Sequence, residues 1–272
     1  MSGVDAAEVN NLSLRTISLL TPAHASVAQF LPELYRSIQS QLLPAGWVLE
    51  WVIWEDGDDP SLASVVAELV GKDPRVVYGA SGRQSGPAVA RTQAFHASRG
   101  EVVFGIDSDD VLEPGGLAKI IETFDTSHGI AWVTGATFEF DEHGNRTERS
   151  CLIAPGRLRA GQTIELWNTT GLSTPWYPTA TAYQRWAVAL LGGWPANVVA
   201  EDTELLACVT AAWDGMLIAS PTMARRCWEG QMTKTPVLIE AAESARKARH
   251  ARATLIDGWR RAGLLGTPRT AP

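Results

Sequence analysis

Cysteine, methionine and histidine are scarce: three, four and five in 272 residues. The cysteines (Cys151, Cys208, Cys227) are odd in number and scattered. That pattern offers neither a disulfide framework nor zinc spacing, so a cytoplasmic, reducing setting is expected. No apolar run approaches the ~20 residues of a membrane span, and no integral membrane segment is expected. The opening MSGVDAAEVNNLSL lacks the basic start and apolar core of a secretion signal. Positive charge is not in excess either. The net charge of −7 argues against a nucleic-acid partner. No G-x-G-x-x-G turn follows the first apolar segment, as a dinucleotide-binding oxidoreductase would need. Nor does LLTPAHASVAQF carry the Gly-rich, basic phosphate loop of a nucleotidyltransferase.

What is present is an ordinary globular composition, 45% hydrophobic and 19% charged, with an unusual 11 tryptophans. A few of these are expected on a binding surface and most in the core. The length suits one large α/β domain or two small ones. Apolar runs and helical periodicities alternate through the first ~125 residues. LRTISLLTP, LEWVIWEDGDD, RVVYGA and EVVFGID read as strands. FLPELYRSIQSQLL, SLASVVAELVGKDP, PAVARTQAFHASRG and GGLAKIIETF read as the helices that follow them. This order predicts a mostly parallel sheet with helices on both faces. The second half is less regular. IAWVTGATFEF and RTERSCLIA flank DEHGN as a hairpin. EDTELLACVTAAW is a helix with an acidic first turn, GMLIAS a strand, and Thr235 to Leu265 one long Ala-rich helix.

Parallel sheets bind ligands beyond the carboxyl ends of their strands. Here those ends carry Pro22-Ala23-His24, Glu55-Asp56 and Asp107-Ser108-Asp109-Asp110. Carboxylates gathered so closely repel one another, and a solvated acidic rim is the bland reading. A hard divalent cation is the sharper one, because Mg²⁺ and Mn²⁺ favour carboxylate oxygens and need few of them when a diphosphate supplies the rest.

At this point the chain resembles the family 2 nucleotide-sugar glycosyltransferases of the GT-A fold. TISLLTPAH resembles that family's first strand, and WVIWEDGDD its second strand with a D-D-G-S turn. SGRQSGPAVARTQAFHASRGEVVFGIDSDDVLEPGGL resembles its N-x-G, A-R-N and L-D-x-D-D stretch. LLGGWPANVVAEDTELL resembles G-G-F and E-D-x-x-L, and RRCWEGQMT the closing R-x-H-x-x-S-M-T. The resemblance runs over roughly residues 14–233. It implies a Rossmann-like, mixed but mostly parallel sheet flanked by helices, with a C-terminal helical extension. Residues 1–12 would be a disordered tail, 13–125 the nucleotide-binding half, 126–233 the acceptor half, and 234–272 a basic helix and tail.

By position, the resemblance implies the following roles. Pro22 and Ala23 would contact the base, with Glu55 or Asp56 on the uracil edge, and His24, at the same strand end, would belong to the nucleotide-sugar site. Arg83 and Arg91 would lie near the donor, and Arg91 would brace the acidic motif. Asp107, with Ser108 beside it, would hold ribose. Asp109 would bind Mn²⁺ or Mg²⁺. Asp202 would be the general base, with Glu201 beside it as a supporting or sugar-binding group. Gly192, Gly193 and Trp194 would floor the acceptor site. Three departures stand out: Ala25 and Thr92 where the family often has Asn, and Trp228 where many members have His. Glu229 is one candidate replacement metal ligand; the alternative is a metal held by Asp109 and diphosphate alone, with weak affinity in the absence of donor. The five histidines are otherwise expected to be structural or on the surface.

The expected reaction is metal-dependent and inverting. A sugar would pass from a nucleotide diphosphate donor, of UDP-GlcNAc or UDP-glucose type, to a hydroxyl or amine. The expected acceptor is a small soluble or carrier-bound molecule, in secondary-metabolite (antibiotic) biosynthesis. The alternatives are a cell-envelope polysaccharide precursor transferase and a sugar-nucleotide-binding homologue of weak activity. The C-terminal helix carries Lys234, Arg246, Lys247, Arg249, Arg252, Arg260 and Arg261 against Glu240, Glu243 and Asp257. It is expected to pack on the acidic body or to join a homodimer.

Overall fold

The computed structural model describes residues 14–149, 151, 153–169, 175–197, 199–231 and 236–265. The expected tail over residues 1–12, Lys234 and the chain from 266 onward lie outside the described residues.

Four parallel strands form the first half: β1 (Arg15–Ala23), β2 (Trp47–Glu55), β3 (Val76–Ala80) and β4 (Val102–Gly105), in the order β3-β2-β1-β4. Between them run α1 (Leu31–Gln39), α2 (Pro60–Val70) and α3 (Pro87–Ala97). A 3₁₀ turn over Ala25–Phe30 precedes α1, in place of helix throughout. Side chains of a strand alternate between its faces. Accordingly Ile17, Leu19, Trp51, Ile53, Val102 and Phe104 pack on one side with α1 and α2. Leu20, Val52 and Val103 pack on the other with Ala94 and Phe95 of α3. Both faces are buried, which is why these strands read as near-continuous apolar runs.

The chain continues through β5 (Val111–Leu112) and α4 (Gly116–Thr126) to the expected hairpin, β6 (Trp132–Asp141) with β7 (Arg146–Arg149). Then come β8 (Gly156–Leu158), α5 (Gln162–Thr169), β9 (Thr181–Gln184), α6 (Arg185–Leu190), α7 (Glu201–Ala212), β10 (Gly215–Cys227) and α8 (Pro236–Arg261). The full sheet order is β3-β2-β1-β4-β9-β6-β10-β5, with β7 on β6 and β8 on β10. It is a mixed sheet whose longest ladders are parallel. The short strands β5, β8 and β9 are additions to the sequence reading. So is the length of β10, which passes Ser220 through register shifts around Pro221 and runs on to Cys227. Proline lacks the N–H of a regular ladder, so a shift there is expected.

The tryptophans of the second half are mostly core. Trp132 and Trp176 stack at 5.3 Å, and Trp213 meets Trp186 edge to face at 5.0 Å. Trp167, Trp176, Trp194 and Trp213 are all buried. α8 packs back on the body. Its Ala253 and Ile256 are buried with α7, and Arg252 donates to Glu204 of α7 at 2.5 Å. Among the described residues, no helix is long and apolar enough to cross a membrane.

Candidate active site

The strand ends converge because β1, β2 and β4 are adjacent and parallel. Pro22 pairs with Trp54 and Ala23 with Glu55, and Ser108 donates to the Pro22 carbonyl at 3.3 Å. Beyond β2 the two carboxylates have internal tasks. Glu55, buried, accepts from the Asp59 N–H at 2.6 Å and from the Tyr78 hydroxyl. Asp56, also buried, accepts from the N–H groups of Ser85 (2.5 Å) and Gly86 (2.9 Å). Together they fix the start of α2 and the loop that leads into α3. His24 follows the end of β1 and is exposed. Its Nδ1 lies 2.9 Å from the Ser26 hydroxyl, and Ser26 N–H donates to it at 3.3 Å, capping the 3₁₀ turn. Arg83 lies on the exposed loop between β3 and α3 and makes no ion pair among the described residues.

Arg91 joins the two halves. From the buried face of α3 it donates to Asp107 after β4 and to Glu201 at the start of α7. Burial works against its charge. The carboxylates of Asp107, Glu201 and Asp202 outweigh that and hold the guanidinium above its ordinary value. Arg91 therefore braces the acidic motif, and it anchors α7 as well. Glu201 shows the cost of burial from the other side. Desolvation, with the Asp202 charge adding to it and Arg91 opposing, pushes its carboxyl up to about 7.

α7 begins after Ala200, the sole non-glycine with positive φ among the described residues (φ 59°). That left-handed geometry is costly for a residue with a Cβ and concentrates at functional sites. Here it sets Glu201 toward Arg91 and presents Asp202 in the adjacent turn. The Asp202 carboxylate accepts from the Thr203 N–H at 2.6 Å and its hydroxyl at 3.1 Å. It shares a small recess with Arg91, Gly105, Tyr183 and Trp194.

The other wall comes from β10. Its antiparallel pairing with β5 (Ala224 with Val111, Met223 with Leu112) carries Arg225 to Trp228 past the acidic turn. Arg226 donates its N–H to Asp110 at 3.0 Å and its Nε to the Asp109 carbonyl at 3.0 Å, and it also pairs with Glu33. Trp228 Nε1 donates to Asp109 Oδ2 at 2.8 Å. Burial, then the Asp107 charge, raises the Asp109 carboxyl. Burial, then Asp109 and Asp107, raises Asp110 further. Asp110 Oδ2 is buried with no hydrogen-bond partner. The sequence assigns Arg226 no role, and it marks Trp228 as a departure from His and as one of the tryptophans of the second half, not as a partner of Asp109. Their contacts with Asp109 and Asp110 depend on the register of β10, which no local pattern reveals.

Gly192 (φ 81°) and Gly193 (φ 87°) turn the chain into Trp194, whose N–H donates to Thr92 Oγ1 at 3.2 Å. Thr92 thus ties α3 to this turn. The turn lines an open cleft of about 510 Å³, whose polar wall is Gln93, Asn197, Glu204 and Arg252. Trp194 borders both this cleft and the recess of Asp202. Arg252 brings α8 into the wall, a contribution absent from the sequence reading.

A cation fits here only in a restricted way. Among the described residues, no three His, Cys, Asp or Glu side chains are grouped to hold a metal. Glu229 is exposed and belongs to no such group. Asp107 is engaged by Arg91 and Asp110 is buried. Asp109 is partly exposed, with one oxygen given to Trp228. The surplus of negative charge suits a divalent ion held by Asp109 alone, with its remaining ligands from a substrate.

A parallel βαβ half that ends in carboxylates, joined by an arginine to an acidic helix start, is the arrangement of a GT-A glycosyltransferase. The chain belongs to glycosyl transferase family 2, whose family model matches residues 18–183. It is similar to the O-antigen biosynthesis protein RfbC of Myxococcus xanthus (30% identity over 132 residues, 48% of this chain and 10% of the relative). It is also similar to the succinoglycan biosynthesis protein ExoO of Rhizobium meliloti (35% over 92 residues, 34% and 26%). The chain thus spans about a quarter or less of the length of these two relatives. Among solved structures it resembles S. aureus TarS in complex with UDP-GlcNAc (TM-score 0.67, 16% identity, 90% of this chain and 71% of that one). It also resembles the mannosyltransferase PcManGT of Pyrobaculum calidifontis in complex with GDP-Man and Mn²⁺ (TM-score 0.54, 18%, 92% and 65%). At these identities the structural likeness concerns the fold.

Proposed function

We propose that this glycosyltransferase moves a sugar from a nucleoside diphosphate donor, UDP-sugar favoured, to a carbohydrate hydroxyl, with inversion at the anomeric carbon. The observation that supports this reading is the Arg91 bridge, which ties Asp107 of the strand end to Glu201 at the start of α7, with the Asp202 carboxylate adding to the charge around the same guanidinium. The nucleoside would lie over Pro22 and Ala23, beside the loop that Asp56 holds. Asp109 would hold a divalent ion of the Mn²⁺ or Mg²⁺ type. When bound, that ion would neutralise the departing diphosphate. Asp202 would accept the acceptor's proton as its oxygen bonds to C1 and the C1–O bond to the diphosphate breaks. This is the geometry that inverting glycosidases use with water.

The acceptor would enter by the cleft floored by Gly192, Gly193 and Trp194. Its amide, carboxylate and guanidinium wall suits a hydroxyl-rich ligand. The relatives named for O-antigen and succinoglycan biosynthesis favour an acceptor on the way to a cell-envelope polysaccharide. They favour that alternative over the antibiotic setting expected from the sequence and lend nothing to the latter.

The test is a thermal-shift screen of nucleotide sugars with and without Mn²⁺, followed by donor hydrolysis. A donor at 100 times its Kd adds ~2.7 kcal/mol of apparent stability. No shift with any nucleotide sugar would overturn the reading. Binding without Mn²⁺-dependent hydrolysis or transfer would leave a sugar-nucleotide-binding homologue.

A further inference from the structure

The Trp228 indole is held firmly. Its ring meets Phe30 edge to face at 5.1 Å. On another side it packs so close to Gly230 that a Cβ there would lie 2.2 Å from the ring. Arg226, whose Nε holds the Asp109 carbonyl, lies over the same Phe30 at 4.6 Å. The indole N–H thus meets Asp109 Oδ2 from a fixed direction, at 2.8 Å. An indole nitrogen donates and has no lone pair to give, so Trp228 cannot itself ligate a cation.

We infer that Trp228 is a positioning residue that leaves Asp109 one oxygen for a divalent cation, so that cation and nucleoside diphosphate bind only with strong mutual dependence. This rests on the proposed reading of Asp109 as the cation's carboxylate. With one protein oxygen available and no cluster of three ligating side chains among the described residues, the ion has too few ligands until diphosphate oxygens arrive. Hydrogen bonds to a ligating carboxylate fix its orientation and tune its basicity, and Trp228 would do both. Coupling between two ligands is reciprocal. UDP should therefore tighten Mn²⁺ by the same factor by which Mn²⁺ tightens UDP.

The experiment is Mn²⁺ titration by water-proton relaxation or calorimetry, with and without UDP, on the full chain and on the W228F and W228H variants. For the unaltered protein, UDP should tighten Mn²⁺ by roughly tenfold or more. W228F keeps an aromatic ring against Phe30 and frees the second oxygen. It should raise Mn²⁺ affinity without UDP several-fold and shrink the coupling. W228H adds a lone pair and should shrink it further. Wild-type coupling in both variants, with UDP affinity and melting temperature retained, would overturn the inference. If the unaltered protein binds UDP but no Mn²⁺ in any state, the reading of Asp109 fails, and the inference with it.

Discussion

Arg91 donates to Asp107 and to Glu201, so one buried side chain ties the end of a parallel strand to the start of α7. Removing it would leave two carboxylates in a poorly hydrated site with no counter-charge. Losing one partner of a buried ion pair costs ~3–5 kcal/mol. Arg91→Ala should lower stability by about that amount in urea unfolding and abolish UDP binding. Arg91→Lys should recover only part of both, because an ammonium cannot fork to two carboxylates as a guanidinium does. A loss below ~1 kcal/mol for Arg91→Ala would mean that the bridge carries little load.

Glu201 makes the pH dependence of stability testable. Its folded carboxyl is pushed up to about 7, from an ordinary value of 4.5. The folded state therefore holds a proton there that the unfolded state has released, and stability falls as pH rises through that window. Asp73 and Asp141, whose carboxyls are lowered by their hydrogen-bond donors, act below this range. The melting temperature without ligand should decline by a few degrees from pH 5 to pH 7.5. Asp109 and Asp110, which burial also raises, add to the decline in the same direction, so in Glu201→Gln the slope should become shallower without vanishing, whatever the variant's absolute stability. An unchanged slope would remove Glu201 as its source.

Asp202 separates binding from chemistry. It accepts from Thr203 and adds charge around Arg91 and around Arg249 of α8. Asp202→Asn preserves the shape and those accepting contacts. Donor binding by calorimetry should stay within a few-fold, while transfer should fall by ~10²-fold or more. Near-normal turnover would place the base elsewhere. The product formed by the unaltered enzyme should carry the inverted anomeric configuration by NMR, and retention would rule out a single displacement.

Asp109 gives the complementary result. Among the described residues its carboxylate accepts from Trp228 and makes no ion pair, so Asp109→Ala should fold normally and bind the nucleoside through the strand-end contacts. What it should lose is the part of UDP affinity that Mn²⁺ adds. UDP binding that still responds to Mn²⁺ would move the cation site away from this turn.

The sequence made the first four strands readable because each is a run buried on both faces and broken by Gly, Pro or acidic turns. The same logic fails for β5, β8 and β9. They span two to four residues, and their pairing partners lie far away in the chain. Asp107, Asp109 and Asp202 stood out through motif resemblance, and the structure adds the Arg91 contact that joins Asp107 to the start of α7. Glu55 and Asp56 were legible as strand-end carboxylates, but not as the acceptors that hold the loops after β2 and β3. A hydrogen bond between residues 119 apart, as for Trp228 and Asp109, is set by the register of β10 and leaves no local trace.

Gly192 and Gly193 offer an internally controlled test of the acceptor cleft. Both have positive φ, so alanine at either carries a backbone penalty of ~1–2 kcal/mol. They differ in surroundings. A Cβ at Gly192 would meet nothing within 4 Å, whereas one at Gly193 would press on Thr92 Cγ2 and Oγ1 at 3.1 Å. Thr92 receives the Trp194 N–H, so only the second substitution should disturb the floor of the cleft. Gly193→Ala should raise the acceptor KM severalfold more than Gly192→Ala, while donor hydrolysis remains similar in the two. Comparable acceptor KM values, at comparable loss of stability, would show that the floor beside Trp194 does not contact the acceptor.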